Sequence, residues 1–265
     1  MVQNNAKSIK TLPPVIKYEF PLNERIRSLL RLEDLYERFD HFVNKAGAFE
    51  HHFALQTLFE IIETGSRADL KSDLLQELER QRSSLESLRN NPQISETALD
   101  SVLLEIEQTS GRLLDVTGKF GQHIRENEWL MGIKQRMTIP GGVCEFDIPS
   151  YHFWLRHEVE TRQQDLGIWS RPLLPIRDAT AIVLKLLRDS GKSHQFVARN
   201  GMFQQMSGGK LVQLLRVDVS PELAGVPELS ANKYAINVRF TTQGGEGRPK
   251  TMDCDVPFTL TYCNL

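Results

Sequence analysis

From Asn23 onward, apolar residues return every three or four positions for most of the chain. After residue 192 they return at every second position. The first period belongs to amphipathic helices and the second to half-buried strands. In the first helix, Asn23 is placed as N-cap, Glu24 lies in the first turn, and Ile26, Leu30, Tyr36, Phe39 and Val43 form the apolar face. "FEHHFALQTLFEIIETG" is a second helix, with Gly65 read as the residue that ends it in a left-handed turn. Ser66 and Asp69 have the spacing of a capping box for a third helix, striped by Leu70, Leu74, Leu78, Leu85 and Leu88. "NNPQIS" interrupts that helix, because the residue before proline disfavours helical backbone. Val102, Ile106, Thr109, Leu113 and Val116 then repeat the spacing. Two such helices about a short turn predict an antiparallel αα-hairpin, about 30 Å long at 1.5 Å per residue. Further helices are predicted over "GQHIRENEWLMGIKQRM" and near residues 150–169 and 175–190.

The later segments "SHQFVARNGMFQQMSGGKLVQLLRVDVS", "KYAINVRFTT" and "TMDCDVPFTLTY" read as a meander of about four antiparallel strands. Ser207-Gly208-Gly209 supplies a hairpin signal, and the preceding helices are expected to cover the sheet. The early run "VIKYEF" can return as an extra strand. The predicted class is therefore α+β. Residues 1–15 form a flexible leader and 16–192 a mainly helical domain with a long αα-hairpin. Residues 193–265 form an antiparallel β domain. Within the helical part, 16–20 is read as a strand of the later sheet and 143–147 as extended.

Composition narrows the function. A chain of 265 residues, 40% of them hydrophobic, can bury a core without disulfides or metals. A net charge of -2 argues against a globally basic, nucleic-acid-binding protein. Charge is uneven, however: residues 64–117 hold 6 Lys+Arg against 10 Asp+Glu, and residues 118–265 hold 18 against 15. Three cysteines without a CxxC pair and an N-terminus without an apolar signal core lead us to expect a reducing cytoplasm and no membrane insertion.

The densest chemistry lies in "IPGGVCEFDIPSYHFWL", Ile139–Leu155. Cys144 and His152 are the only nucleophile–base pair it offers, and a buried structural cysteine is the simpler reading. The glycine pair lacks the GK[ST] of a phosphate loop. The stretch reads instead as a joint, turned at Pro140, extended over "VCEFD" and capped into the next helix by Ser150. No histidine spacing marks a metal site, and no cofactor is expected. Arginine stands out more. Arg27, Arg31 and Arg38 share a stripe on the first helix, Arg125, Lys134 and Arg136 lie on the fifth, and Arg216, Lys233 and Arg239 lie on strands. With Tyr234, Phe240 and Phe153 they suit an acidic, partly apolar peptide, because the guanidinium fork binds carboxylates bidentately. The bland alternative is a solvated face with local pairs, such as Arg38 or Arg27 with Asp34.

"YEFPLNERIRSLLRLEDL", "KQRMTIPGGVCEFDIPSYHFWL" and "LLRVDVS…NKYAINVRF" resemble the ZapD family of Z-ring-associated proteins. The resemblance runs from about Tyr18 to Phe240 and is weakest before Val15 and after Thr241. It implies a dimeric, non-enzymatic bacterial protein of the cytoplasm, with a helical and a β-strand domain. Such a protein binds the C-terminal tail of the tubulin-like FtsZ and bundles its filaments in the midcell Z-ring. It also implies that Arg31 in "LLRLEDL" and His152 in "SYHFWL" match positions tied to bundling, and that Arg239 in "NVRF" matches a basic strand position. Glu128 departs from a position that is basic in some members, where Arg125 is the nearby substitute.

The expected mechanism is a tail held in a groove between sheet and helices, its apolar residues on Tyr234 and Phe240. Its acids would meet Arg31, Arg216, Lys233 and Arg239, with His152 near the partner. Each contact is weak, in the micromolar range, and a homodimer gains by effective concentration on a polymer. The rivals are a nucleic-acid-binding adaptor, resting on the arginines, and an enzyme, resting on Cys144 and His152.

Overall fold

The computed structural model describes residues 15–66, 69–206, 212–223, 225–242 and 247–265. The expected leader lies almost wholly outside these residues, as does the Ser-Gly-Gly turn. The chain forms two compact units: a helical one, Glu24–Leu187, and one of strands, made of residues through Asn23 together with Arg188–Asn264.

The helical unit opens with α1 (Glu24–Val43) and α2 (Ala48–Gly65). α1 buries Ile26, Leu29, Leu32, Leu35, Tyr36 and Phe39, so its inner face runs through Leu29 and Leu32 rather than Leu30 and Val43. α2 is buried around most of its circumference, which is why its sequence is apolar with little periodicity. Gly65 is the last helical residue and needs no left-handed turn. A Cβ there would lie 2.2 Å from the Phe120 ring, so the glycine makes room for an aromatic side chain.

The αα-hairpin consists of α3 (Leu70–Glu86) and α4 (Glu96–Leu114). Asp69, not Ser66, is the N-cap of α3. Ser95 caps α4 by accepting from the Ala98 N–H at 3.4 Å. Leu70, Leu74 and Leu78 are buried, but Leu88 is exposed, so the core ends before the tip. Glu77, 1% exposed, is held by Arg25 and Arg80, and Gln81 donates to the Val183 carbonyl at 3.1 Å. The Gln81 bond fastens the hairpin to α9 (Leu174–Asp189), and the Arg25–Glu77 pair fastens it to α1.

The predicted fifth helix is two: α5 (Gln122–Arg125) and α6 (Glu128–Met137). Asn127 accepts from the Leu130 N–H at 3.0 Å and starts the second. The segment 143–147, expected to be extended, is a run of turns. Gly141 takes φ +71, and the Cys144 carbonyl accepts from the N–H groups of Asp147 and Ile148, so its backbone is satisfied locally without a strand partner. α7 (Pro149–Leu155) begins with Pro149 at its first turn. Ser150 does not cap it; its hydroxyl accepts from the Trp129 indole N–H at 3.0 Å. α8 (Val159–Ser170) follows after a break at residues 156–158.

In the strand unit, β1 (Ile16–Pro21), β4 (Leu214–Val219), β8 (Val256–Cys263) and β2 (Lys192–Ala198) form one antiparallel sheet in that spatial order. β3 (Met202–Met206), β6 (Ala235–Thr242) and β5 (Gly225–Ala231) form a second, with β7 (Lys250–Thr251) also on β6. The early run thus pairs with β4, Glu19 opposite Arg216. The expected single meander is a two-sheet sandwich. Leu215, Val217, Phe258 and Leu260 from one inner face pack with Ile236, Val238 and Phe240 from the other. Each sheet's inner face covers the other's, the role assigned from sequence to helices. The chain passes from β2 to β3 through Asn200 (φ 47) and Gly201 (φ 70), a tight left-handed pair inside what reads as one strand.

Candidate functional site

From Ile236 to Phe240 on β6 the side chains alternate: Ile236, Val238 and Phe240 enter the sandwich, and Asn237 and Arg239 point out. Pairing sets two rows across the outer face of the second sheet. One row is Met202, Arg239 and Glu228; the next is Gln204, Asn237 and Ser230. Together they bound a shallow trough of about 660 Å³. Arg239 spans it, donating from Nε to Glu228 Oε2 at 3.1 Å and from Nη2 to the same oxygen. Met202 and Met206 are largely exposed on one flank. At the β5–β6 turn, Asn232 Oδ1 accepts from the N–H groups of Tyr234 (2.8 Å) and Ala235 (2.9 Å). That bond presents Tyr234, 63% exposed, with the Lys233 ammonium 4.8 Å from its ring centre.

Of the expected strand residues, Arg239 lies on this sheet, whereas Lys233 and Tyr234 lie in the turn that joins its β5 and β6. Phe240 does not join them. It is 0% exposed and packs 5.2 Å from Phe258, because neighbours along a strand face opposite sides. Arg216 is also elsewhere. It lies on the outer face of the first sheet, on the far side of the sandwich from Arg239. There it stands 3.2 Å from Asp218, beside the Arg188–Glu19 pair, whose two bonds measure 2.8 and 2.7 Å. Its charge is already answered by acids of its own unit.

In the helical unit the arginine stripe is partly neutralised. Arg27 pairs with Glu24 at 3.0 Å and Arg38 with Asp34 at 2.6 Å. Arg31 is exposed and has no ion-pair partner among the described residues. Arg125 donates to the carbonyls of Phe120 and, at 3.3 Å, Ile62, closing the end of α2. Arg136 stands 3.6 Å from Asp147 and Lys134 3.1 Å from Glu63. Glu128 is exposed in the first turn of α6.

The Cys144 thiol is exposed, not buried as expected, and donates to the Gly141 carbonyl at 3.2 Å. His152 faces Glu145 at 4.0 Å. The aromatics of the same stretch divide sharply. Buried Tyr151 and Trp154 stack at 5.8 Å and group with half-buried Trp129 and Trp169, whereas Phe153 is 68% and Phe146 79% exposed.

Sequence reasoning missed three features. Glu228 occupies the Arg239 fork, a pairing legible only once strand register is known. Phe49, 82% exposed on α2, gives no signal in a helix that is otherwise buried. The third is a buried junction. Arg162, 5% exposed, donates to His51 Nδ1 at 2.9 Å, to the Leu155 and Ala46 carbonyls at 3.1 and 2.8 Å, and to the His157 carbonyl. Burial, then the Arg162 charge, holds the His51 pKa below its usual value; burial does the same for His52, whose Nδ1 lies 3.0 Å from the Tyr151 hydroxyl.

The family model described as "ZapD: Cell division protein" matches residues 30–239. A "Cell division protein ZapD" of Chromobacterium violaceum is 58% identical over 252 residues, covering 95% of this chain and all of the relative. Those of Dechloromonas aromatica and Aromatoleum aromaticum are 56% and 55% identical over the same length, covering 95% of this chain and 100% and 98% of themselves.

Proposed function

Because the chain belongs to the ZapD family of cell division proteins, we propose that it acts in division by binding the C-terminal tail of FtsZ and cross-linking FtsZ filaments at midcell. The observation that carries this reading is the second sheet, whose outer face sets Arg239 opposite exposed Met202 and whose β5–β6 turn carries Lys233 and exposed Tyr234 at the end where Met206 pairs with Ala235. A cation with a planar fork, an aromatic ring and two flexible apolar side chains suit an acidic, partly apolar peptide. Charge distribution favours the same unit. Residues 15–23 and 188–264 carry 10 Lys+Arg against 8 Asp+Glu, a net of +2, whereas 24–187 carry 20 against 26, a net of -6. Arg31 and His152 supply a second contact set on the helical unit.

The protein works as a homodimer in the cytoplasm, without cofactor or catalytic step. Exposed Phe49, Phe146 and Phe153 on the helical unit support self-association, since isolated monomers rarely leave several large aromatics in water. No helix among the described residues is long and apolar enough to cross a membrane. Two weak tail contacts per dimer suffice for bundling, because the second forms at the effective concentration set by the first.

Sedimentation of FtsZ filaments tests the reading. Arg31→Glu with Arg239→Glu is expected to abolish bundling while circular dichroism stays native. Full bundling by that variant would refute the assignment. A gel shift with duplex DNA at physiological salt separates the nucleic-acid alternative, with no shift expected.

A further inference from the structure

We propose that Glu228 is an internal stand-in for the partner's carboxylate, displaced from Arg239 when an acidic tail docks on the outer face of the second sheet. The inference rests on the tail-binding reading above and adds a regulatory element to it.

The geometry has three parts. First, Glu228 and Arg239 are directly opposed on β5 and β6, so register alone places the acid beside the guanidinium. Second, the fork is poorly used. Nε and Nη2 both donate to Glu228 Oε2, whereas a free carboxylate can give each donor its own oxygen. Third, the pair is open, its side chains 56% and 45% exposed. An incoming acid can reach the fork without unfolding anything, and exposed pairs are weak enough to exchange.

The surroundings define what replaces Glu228. Met202 lies on the other side of Arg239 in the same row, and the next row is Gln204, Asn237 and Ser230, all neutral and able to bond to peptide groups. The occupant is therefore an extended peptide with a carboxylate next to an apolar side chain. Glu228 raises the threshold for such a peptide and repels acids placed where they cannot take the fork, which favours a fitted tail over a generic polyanion.

The test uses the full-length protein and a fluorescein-labelled synthetic peptide of the host FtsZ C-terminal tail, read by anisotropy over a range of NaCl concentrations. Glu228→Gln is expected to tighten binding roughly two- to fivefold, the scale of an exposed pair. Arg239→Gln is expected to weaken it about tenfold or more. The double variant should match Arg239→Gln alone, because Glu228 acts only through Arg239. Thermal unfolding of each variant checks that the exposed changes leave the fold intact. Unchanged affinity in Glu228→Gln, with wild type still binding the peptide and bundling filaments, overturns the stand-in and leaves the division role standing. Equal tightening by Glu228→Gln in the Arg239→Gln background also overturns it, as a general charge effect. Failure of the wild type to bind either peptide or filaments overturns the tail-binding reading and this inference with it.

Discussion

Arg162 donates its Nε–H to Nδ1 of His51 at 2.9 Å, and both side chains are buried. The bond requires His51 to be neutral, with its proton on Nε2. Beside Arg162, a second charge on the imidazole would face a fixed cation with no water to screen it. The backbone of Lys45 and Val43, and then Glu50, oppose this, and the net direction of the His51 pKa is still down from 6.5.

A pH dependence of stability follows with a definite sign. Below pH 6.5 the unfolded chain binds protons at His51 and His52 that the folded chain refuses. The stability tied to these groups is fully present above that pH and is lost as pH falls through their lowered folded values, by up to about 1.4 kcal/mol per pH unit for each proton. Thermal midpoints between pH 7.5 and 4.5 should fall more steeply for wild type than for His51→Asn, whose amide oxygen can accept from Arg162 without titrating. Parallel curves would show that His51 does not titrate on unfolding.

The β2–β3 corner makes a second prediction. Gly201 has φ +70, and a Cβ there would sit 2.7 Å from the Met252 carbonyl oxygen and 3.1 Å from its amide nitrogen. Both the backbone conformation and the approach of a neighbouring backbone exclude a side chain. Gly201→Ala should cost about 2–4 kcal/mol in urea unfolding. Gly111→Ala, where nothing lies within 4 Å, should be neutral or slightly stabilising.

How far the sequence reaches is visible at this corner and on β6. The order of helices before strands, the αα-hairpin and the return of the Tyr18 run to the sheet all follow from period and turn chemistry. The alternation runs one strand through Asn200-Gly201, and only three dimensions show the left-handed turn there that moves the chain from one sheet to the other. Alternation says that a strand has an apolar face and is silent on what covers it, so a second sheet and a layer of helices look alike. Placing Arg239 and Phe240 on one surface broke the two-residue period itself. The Arg216–Asp218 spacing, by contrast, already put an acid beside that arginine. The Arg162 junction draws on Ala46, His51, Leu155 and His157, too far apart in sequence for any local pattern to reveal.

Phe240 and Tyr234 should therefore separate stability from binding. Phe240→Ala removes a ring from the sandwich centre and should cost about 3–5 kcal/mol, read as a lower urea midpoint. Tyr234→Ala should leave that midpoint within about 0.5 kcal/mol of wild type, because the ring stands in solvent. The same Tyr234 variant should weaken binding of the FtsZ tail peptide several-fold. A Tyr234 variant that unfolds early, or binds normally, would remove the residue from the docking surface.

Self-association should also be separable from docking at the Arg239 trough, since the exposed rings lie on the helical unit and the trough on the strand unit. Phe49→Ser with Phe153→Ser replaces two largely exposed rings, of which Phe153 meets the His157 ring edge-on, so the helical unit should keep its fold. If these rings form the contact between copies, sedimentation velocity should show a shift from dimer to monomer at micromolar protein. The trough around Arg239 is untouched, so anisotropy with the tail peptide should give the wild-type affinity. Bundling should nonetheless disappear, because a monomer offers one weak contact and no second contact to gain from effective concentration. A variant that remains dimeric places the contact between copies elsewhere. One that becomes monomeric yet still bundles filaments would show that cross-linking does not run through the dimer.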